Sequence, residues 1–207
     1  NSYSFEYPVR AKPGQFVNIW LPGVDEKPMS IAFDDGKIYT ISVAAIGTLT
    51  KALATKKVGD HIGVRGPFGT HFCWKPKSRI AMLAGGYGVA PLYFAAFNAL
   101  KEGCHVDFYH GARSKEHLLF AKRIKVLERT RYLPSTSDGS SGFEGTNVEL
   151  WLKQMEAGER YDVVMACGPE LMMKAVSDIS WKKKISAQIS VERYMKCGFG
   201  ICGNCCV

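Results

Sequence analysis

The residues that point most clearly to chemistry are three cysteines close to the end of this 207-residue chain. Cys197, Cys202 and Cys205 follow the spacing C-x4-C-x2-C, which is typical of plant-type [2Fe–2S] sites and requires a fourth thiolate further along the chain. The glycines between these cysteines let the backbone pass close to a compact cluster and adopt the dihedral angles that such a loop needs. We therefore predict that these three cysteines are metal ligands.

Two plainer interpretations of the cysteines stay open, a zinc knuckle and buried structural thiols. Zinc sites favour two C-x2-C-like pairs, and this segment has one. Cys206 is a poor fourth ligand, because adjacent residues in an extended chain point to opposite sides. The fourth ligand is therefore expected beyond Val207, and Cys73, Cys104 and Cys206 are interpreted as bystanders.

A glycine turn after the apolar segment 79–84 could bind phosphates. The turn contains Gly85, Gly86 and Gly88 and runs into a predicted helix that starts near Pro91. Backbone N–H groups at the positive end of a helix attract phosphates, and glycines let a ligand come close. The alternative is a tight turn that serves packing alone, because glycines often punctuate turns.

A second turn of this kind follows the apolar segment 162–166 and consists of Cys167, Gly168 and Pro169. Open α/β sheets bind ligands at the carboxyl ends of their strands. Taken alone, Cys167 would be a small buried hydrophobe. Together with the first glycine turn and the polar loop 135–142, it could line one crevice.

Near the start of the chain, two short segments could hold a flavin and its diphosphate. They are Lys27-Pro28-Met29-Ser30 and Gly47-Thr48. A cation and a hydroxyl beside one strand, with N–H groups at the start of a short helix, suit a diphosphate. The alternative is a solvated strand edge with an ordinary helix cap.

The elements that must position these residues fall into two classes. Before residue 75, short alternating segments separated by turn signals predict a small antiparallel β-barrel. After a linker at 75–78, alternating strands and helices predict a parallel α/β sheet with right-handed crossovers. The predicted strands are 15–20, 37–43, 61–64, 79–84, 106–109 and 162–166, and the predicted helices are 49–54, 91–100, 116–127, 147–155 and 170–176.

Composition excludes several classes of protein. The chain has a formal net charge of +8, yet its basic residues are dispersed along the sequence, which favours anionic cofactors over nucleic acid. The sequence contains no run of about eighteen apolar residues, so we expect no membrane-spanning helix. Free thiols and the lack of a signal peptide favour the cytoplasm. A zinc-bearing nucleic-acid module stays as the alternative from another class. Asn1 is no initiator, so the first strand of the barrel is expected to be missing.

The order of these motifs resembles the ferredoxin–NADP+ reductase superfamily, in which a flavin barrel precedes a nicotinamide domain. Within it, residues 190–196 leading into the cysteines are similar to the electron transfer subunits of the dihydroorotate dehydrogenase B family. Residues 137–145 are similar to that family's T-D-D-G-S-x-G-x-K-G segment. The resemblance covers essentially the whole chain. It implies three domains, an FAD-binding barrel at 1–75, an NAD-binding α/β domain at 78–187 and a truncated [2Fe–2S] segment at 188–207.

The resemblance also implies which residues bind each cofactor. Lys27 stands where the family's R-P-x-S motif has arginine, which keeps the charge but loses the planar fork. The residues expected to contact FAD are Lys27, Pro28, Met29, Ser30, Ser42, Val43, Gly47 and Thr48. Those expected at NAD(H) are Gly85, Gly86, Gly88, Pro91, Arg113, Asp138, Gly139, Cys167, Gly168 and Pro169, with Cys167 near both the flavin and the nicotinamide.

The implied function is electron transfer without a catalytic acid or base. Electrons would pass from NADH through FAD and the cluster to an FMN-containing catalytic subunit that interconverts dihydroorotate and orotate, in a complex with two copies of each subunit. The close alternative is a related reductase subunit serving hydrogenase, sulfide or ferredoxin–NADP chemistry. The choice between NADH and NADPH stays open, because Arg113, Ser114 and Lys115 stand where a 2′-phosphate could sit.

Overall fold

The computed structural model describes residues 1–205, which form two compact units. The first unit comprises residues 1–71 together with the chain from Glu192 onward, and the second comprises Phe72–Val191. The final segment therefore belongs to the same unit as the beginning of the chain.

The first unit is built on a five-stranded antiparallel sheet with one short helix. Alternation in β2 buries Val17 and Ile19 completely, and the turn between β3 and β4 is fixed by Asp35, whose carboxylate accepts the N–H groups of Lys37 and Ile38. The sheet order is β1-β4-β3-β2-β5. Its elements are β1 (Ser2–Glu6), β2 (Phe16–Leu21), β3 (Asp25–Asp34), β4 (Ile38–Ser42), α1 (Thr48–Ala54) and β5 (Gly63–Phe68).

The second unit is a six-stranded parallel sheet whose strand order, β11-β10-β6-β7-β8-β9, reverses direction beside β6. The chain runs outward from β6 through β7 and β8 to β9, then returns to place β10 on the other side of β6. Apolar side chains cover both faces of the sheet, with α2 on one face and α4 and α5 on the other. The elements are β6 (Arg79–Gly85), α2 (Val89–Lys101), β7 (His105–Ala112), α3 (Ala121–Lys125), β8 (Thr130–Thr136), β9 (Phe143–Glu144), α4 (Asn147–Glu156), β10 (Val163–Cys167), α5 (Glu170–Lys183) and β11 (Ser186–Ser190).

The predicted fold class is confirmed, since an antiparallel unit precedes a parallel α/β unit. The helix predicted at 116–127 is wrong over most of its length. A 3-10 turn occupies Lys115–His117, and α3 begins only after Phe120, whose φ of +60° interrupts any continuous helix. The prediction of a polar loop at 135–142 is also partly wrong, because the first two of these residues are the last two of β8.

A charged network joins the middle strands of the parallel sheet. The nearly buried Asp107 accepts hydrogen bonds from the guanidinium groups of Arg79 at 3.1 Å and Arg131 at 2.6 Å. The Tyr161 hydroxyl also donates to Asp107, at 2.7 Å, and Glu159 pairs with both arginines. The buried carboxylate is therefore fully paired, as burial of a charge requires.

Among the described residues, no helix is both long and apolar enough to cross a membrane.

Candidate functional site

The two glycine turns predicted from the sequence meet where β6 and β10 end side by side. A Cβ atom on Gly88 would stand 2.1 Å from the carbonyl oxygen of Cys167, and one on Gly168 would stand 2.9 Å from the Cα of Gly85. A Cβ on Gly85 would in turn stand 2.6 Å from Pro169. Only glycines permit this approach. The turns therefore pack against each other, and they do so at the point where the strand order reverses, which is where open α/β sheets bind ligands.

A cavity of about 620 Å³ opens at this edge of the sheet. Its walls come from the ends of β6 and β7 and from the first residues of α4 and α5, and most of them are apolar. Of the residues predicted to bind NAD(H), Gly85, Gly86, Arg113 and Pro169 line the cavity. Gly88, Cys167 and Gly168 stand behind its wall in the packed joint, and Cys167 is 3% exposed.

Asp138 and Gly139 lie beside the cavity, next to Ser137, which lines it. The Asp138 carboxylate accepts hydrogen bonds from the Ser140 hydroxyl at 2.6 Å and from the Ser140 N–H at 3.0 Å, and these bonds lower the pKa of Asp138. The Ser140 hydroxyl oxygen also accepts the N–H of Lys115. This relay ties the turn after β8 to the segment that carries Arg113. Asp138 is therefore held as a carboxylate at the rim of the cavity.

Sequence reasoning missed the residues that α4 contributes to the cavity. Thr146 caps this helix in a reciprocal arrangement with Glu149, and Asn147 donates a 2.9 Å hydrogen bond to the carbonyl of Ala84 at the end of β6. Gly111 makes room for Asn147, because a Cβ there would stand 2.9 Å from its amide carbon. The T-x-x-E spacing of Thr146 and Glu149 is a capping signature and could have drawn attention to this helix start.

In the first unit, the residues predicted to bind FAD lie on β3 and at the end of β4. Pro28, Met29 and Ser30 pair with β2, while Lys27 forms a 2.9 Å ion pair with Asp25 that raises the lysine pKa. Ser42 ends β4, and the Val43 carbonyl accepts from the amino terminus. Gly47 and Thr48 stand at the start of α1, where the Thr50 hydroxyl accepts the N–H of Gly47.

A buried polar atom near these residues has no hydrogen-bond partner in the described part of the chain. It is the side-chain oxygen of Asn18, a residue 2% exposed that pairs with Pro28 across β2 and β3. A buried polar group without a partner costs stability, so its presence beside the predicted flavin residues fits a group bound there.

The cysteine segment packs on the same part of the first unit. The Phe199 ring lies 6.1 Å from the Phe68 ring, and a Cβ on Gly198 would stand 3.2 Å from the Asn18 amide nitrogen. Gly198, Gly200 and Gly203 all have positive φ, as the tight loop predicted from the sequence requires. The cysteine loop and the residues predicted to bind FAD are therefore neighbours within one unit.

Within the loop, Cys197 is prepared to act as a thiolate. Backbone N–H groups of Cys202 and Phe199 hydrogen-bond to its sulfur and lower the pKa of Cys197 to about 6. Thiolates that accept backbone N–H groups are typical of iron–sulfur ligands. Across residues 1–205, however, no three His, Cys, Asp or Glu side chains are grouped closely enough to hold a metal ion, so Cys197, Cys202 and Cys205 are not gathered as a set. Cys206 lies outside the described residues.

Comparisons with known proteins agree on one family. Residues 82–178 match the family model described as oxidoreductase NAD-binding domain. The chain is 45% identical to the probable dihydroorotate dehydrogenase B (NAD(+)), electron transfer subunit, of Methanocaldococcus jannaschii, over 95% of this chain and 73% of that protein. It is 39% identical to the protein of the same name from Thermococcus kodakarensis, over 99% of this chain and 82% of that protein.

Solved structures support the same fold. An NADH-dependent reduced ferredoxin–NADP oxidoreductase, solved for insight into flavin-based electron bifurcation, superposes with a TM-score of 0.85 at 27% identity, covering 99% of this chain and 75% of that one. The cytochrome P450 reductase GcoB of Amycolatopsis superposes with a TM-score of 0.78 at 22% identity, over 91% of this chain and 63% of that one, which shows a shared fold.

Proposed function

This chain belongs to the family of dihydroorotate dehydrogenase B electron transfer subunits, and from that premise we propose that it carries electrons from NADH to a catalytic partner. The electrons would pass through bound FAD and a [2Fe–2S] cluster to a partner subunit that contains FMN and interconverts dihydroorotate and orotate. The observation that supports this most is the 45% identity to a named electron transfer subunit over 95% of the chain.

We assign the dinucleotide to the cavity where the strand order reverses. Gly85 and Gly86 bring backbone close to the diphosphate, Arg113 supplies a cation, and Pro169 lines the cavity beside Gly85. Gly88, Cys167 and Gly168 lie behind the cavity wall, where the two turns pack against each other, and Pro91 is buried in the first turn of α2. Asp138 and Gly139 shape the rim. The apolar walls exclude water from the nicotinamide, which protects a hydride donor from side reactions.

We assign the flavin to the edge of the first unit formed by Lys27, Pro28, Met29 and Ser30, with Ser42, Val43, Gly47 and Thr48 beside it. FAD supplies the conversion of a two-electron hydride donor into one-electron transfers when it is bound. The chain's own contribution is to orient it. The Asn18 amide oxygen offers a buried acceptor, and Lys27 offers a cation once it exchanges Asp25 for a phosphate.

Cys197, Cys202 and Cys205 would hold the cluster together with a fourth thiolate. The backbone N–H groups around Cys197 stabilise negative charge on its sulfur, which favours metal binding by a thiolate and tunes the potential of the bound group. In the proposed assignment, residues 1–75 bind FAD, residues 78–187 bind NAD(H) and residues 188–207 bind the cluster.

We infer that the complex acts in the cytoplasm, in pyrimidine biosynthesis, and contains two copies of each subunit. A reducing compartment keeps cluster thiolates from forming disulfides. The relatives are named electron transfer subunits, which supports the existence of a separate catalytic subunit.

An anaerobic titration of the full-length protein with NADH tests the electron path. We expect the visible bands of the flavin and then those of the cluster to bleach, and NADH to act faster than NADPH. Flavin bleaching with no change in the cluster bands would contradict the path. Purification of the native complex tests the partner, since a partner with hydrogenase or sulfide-reducing activity and no dihydroorotate oxidation would support the related reductases instead.

Replacing Cys197 with serine tests the cluster assignment. We expect Cys197→Ser to lose bound iron and the cluster bands while NADH still bleaches the flavin. The matched control is Cys73→Ser, an exposed cysteine in the second unit, which should keep its iron. Retained iron in the Cys197 variant, or zinc in place of iron in the wild type, would refute the assignment.

A further inference from the structure

A second groove, which the proposed function does not use, lies beside α3. It has a volume of about 500 Å³ and is lined by four cationic side chains, Lys115, Lys122, Arg123 and Lys125, and by the rings of Phe120 and Tyr132. We call it the α3 groove. The dinucleotide cavity has different walls, although Arg113 and His117, which line that cavity, flank Lys115 in the sequence.

Positive charge is concentrated around the α3 groove. Residues 113–131 hold seven lysines and arginines but only two glutamates, so this segment carries more than half of the chain's net charge of +8. None of the four groove cations forms an ion pair with a carboxylate in residues 1–205, in contrast to Arg79 and Arg131 nearby. Unpaired charges of one sign around a concave, partly apolar wall focus the electrostatic potential and attract anions.

Tyr132 adds a hydroxyl donor to the groove, because its neighbour His110 does not accept the hydroxyl hydrogen. Its hydroxyl lies 3.0 Å from Nδ1 of His110, a completely buried side chain whose Nε2 has no partner among the described residues. Burial lowers the pKa of His110 to about 4, so the ring is neutral and carries one proton. Orphaned buried N–H donors are rarer than orphaned acceptors, so we assign the proton to Nδ1, which then donates to the Tyr132 oxygen.

With the proton on Nδ1, the hydroxyl hydrogen of Tyr132 is left to donate elsewhere. Burial also raises the pKa of Tyr132 to about 12, which keeps the phenol protonated and able to donate. The same side chain lines the α3 groove, where Lys125 lies 5.5 Å from its ring. The groove thus combines four unpaired cations, two aromatic faces and one unused donor.

We propose that the α3 groove binds the phosphoryl groups of a small organic molecule, separately from the dinucleotide. The four cations neutralise two or more negative charges, and the Phe120 and Tyr132 rings cover an apolar or aromatic portion of the ligand. Because Lys115 and Arg113 share one short segment, occupation of the α3 groove is positioned to influence the affinity of the neighbouring cavity for NADH.

The test is a calorimetric titration of the full-length flavoprotein with tripolyphosphate. NAD+ is present at saturation, so that the dinucleotide cavity is occupied. We expect saturable one-to-one binding that weakens about tenfold or more in the Lys122→Glu, Arg123→Glu, Lys125→Glu triple variant. The matched control reverses the charges of Lys182 and Lys183 at the exposed end of α5 and of Lys184 just after it, which changes the net charge equally, and should alter the affinity less than about twofold.

A single substitution separates the proposed donor from general electrostatic attraction. Tyr132→Phe keeps the ring and every cation, so a loss of about fivefold in affinity reports the hydroxyl alone. Equal weakening in the two triple variants, displacement of tripolyphosphate by NAD+, or the absence of saturable binding would each overturn the proposal. So would binding of a short RNA or of anionic vesicles when tripolyphosphate does not bind.

Discussion

At the scale of single residues, the turn after β6 can pack against the turn after β10 because Gly88 has no side chain. Gly88 has φ near −60°, a conformation open to any residue, so the reason for a glycine there is space and not backbone freedom. The carbonyl of Cys167 fills the position that a side chain would need. The close packing of the two strand ends, and hence the shape of the cavity, therefore requires that residue 88 has no side chain.

Replacing Gly88 with alanine should damage both stability and nucleotide binding. The new Cβ meets backbone 2.1 Å away, so the turns must separate, and overpacking of this kind costs about 2 kcal/mol in the free energy of unfolding. Denaturant unfolding measures the cost, and a titration with NADH measures the affinity. Gly47→Ala is the control for stability, because its nearest atom would be Thr50 Oγ1 at 3.8 Å. A Gly88→Ala protein as stable as the wild type would refute the close joint.

His110 makes stability depend on pH. Its folded pKa of about 4 lies below the ordinary value of 6.5, so the unfolded chain binds the proton more tightly. Stability is therefore full above about pH 6.5 and falls as the pH drops, by about 2 kcal/mol at pH 5. Urea unfolding at pH 7 and pH 5 measures this loss, and His110→Gln should remove most of the difference between the two pH values. An equal pH dependence in both proteins would show that His110 is not responsible.

At the scale of elements, Asp107 joins three neighbouring strands. The carboxylate on β7 receives one arginine from β6 and one from β8, at the opposite end of the sheet from the dinucleotide cavity. The network therefore aligns the strands whose far ends form the binding edge.

Asp107→Asn should destabilise the second unit by about 3 kcal/mol, at the lower end for a buried pair because the guanidinium groups are about 40% exposed. Asp178→Asn breaks an exposed pair with Lys174 on α5 and should cost about 0.5 kcal/mol or less. Chemical unfolding of both variants gives the comparison. Similar losses in the two would mean that burial adds nothing to the Asp107 network.

The elements also show what a sequence can and cannot predict. The strands β2, β4, β6 and β10 were predicted nearly to their ends, because apolar alternation or an apolar run is a local signal. β8 and β11 were missed, since Pro134 interrupts the first, and the second is short, with two exposed and three half-buried residues. Asn18 could not be found in advance, because its burial and its unpaired oxygen arise from packing between distant segments.

At the scale of the whole molecule, the last described residues complete the first unit. Phe199 rests on Phe68, and Lys27 lies 5.9 Å from the ring of Tyr194. The predicted flavin motif and the cysteine loop thus contact each other within one unit, although about 170 residues separate Lys27 from Cys197 in the sequence.

A chain that ends at Val191 should lose flavin at a lower temperature yet keep dinucleotide binding. Removal of the packing on Phe68 and Asn18 costs about 1 kcal/mol, or about 5 °C for a unit of this size. Flavin fluorescence during heating measures the first effect, and NADH titration the second. Ile201→Ala in the full chain is the control, because this side chain is 78% exposed and should leave the release temperature unchanged. Unchanged release in the shortened chain would refute mutual stabilisation.

Hydrogen bonds join residues near the start and the end of the second unit. The Gln188 side chain accepts the N–H of Cys73 at 2.8 Å and donates to the carbonyl of the same residue at 2.5 Å. The entrance and the exit of Phe72–Val191 are therefore adjacent, as they are in a domain inserted into a loop of another. We therefore expect that the whole second unit can be exchanged. Replacing its 120 residues between His71 and Glu192 with the corresponding unit of another reductase should change the nucleotide preference.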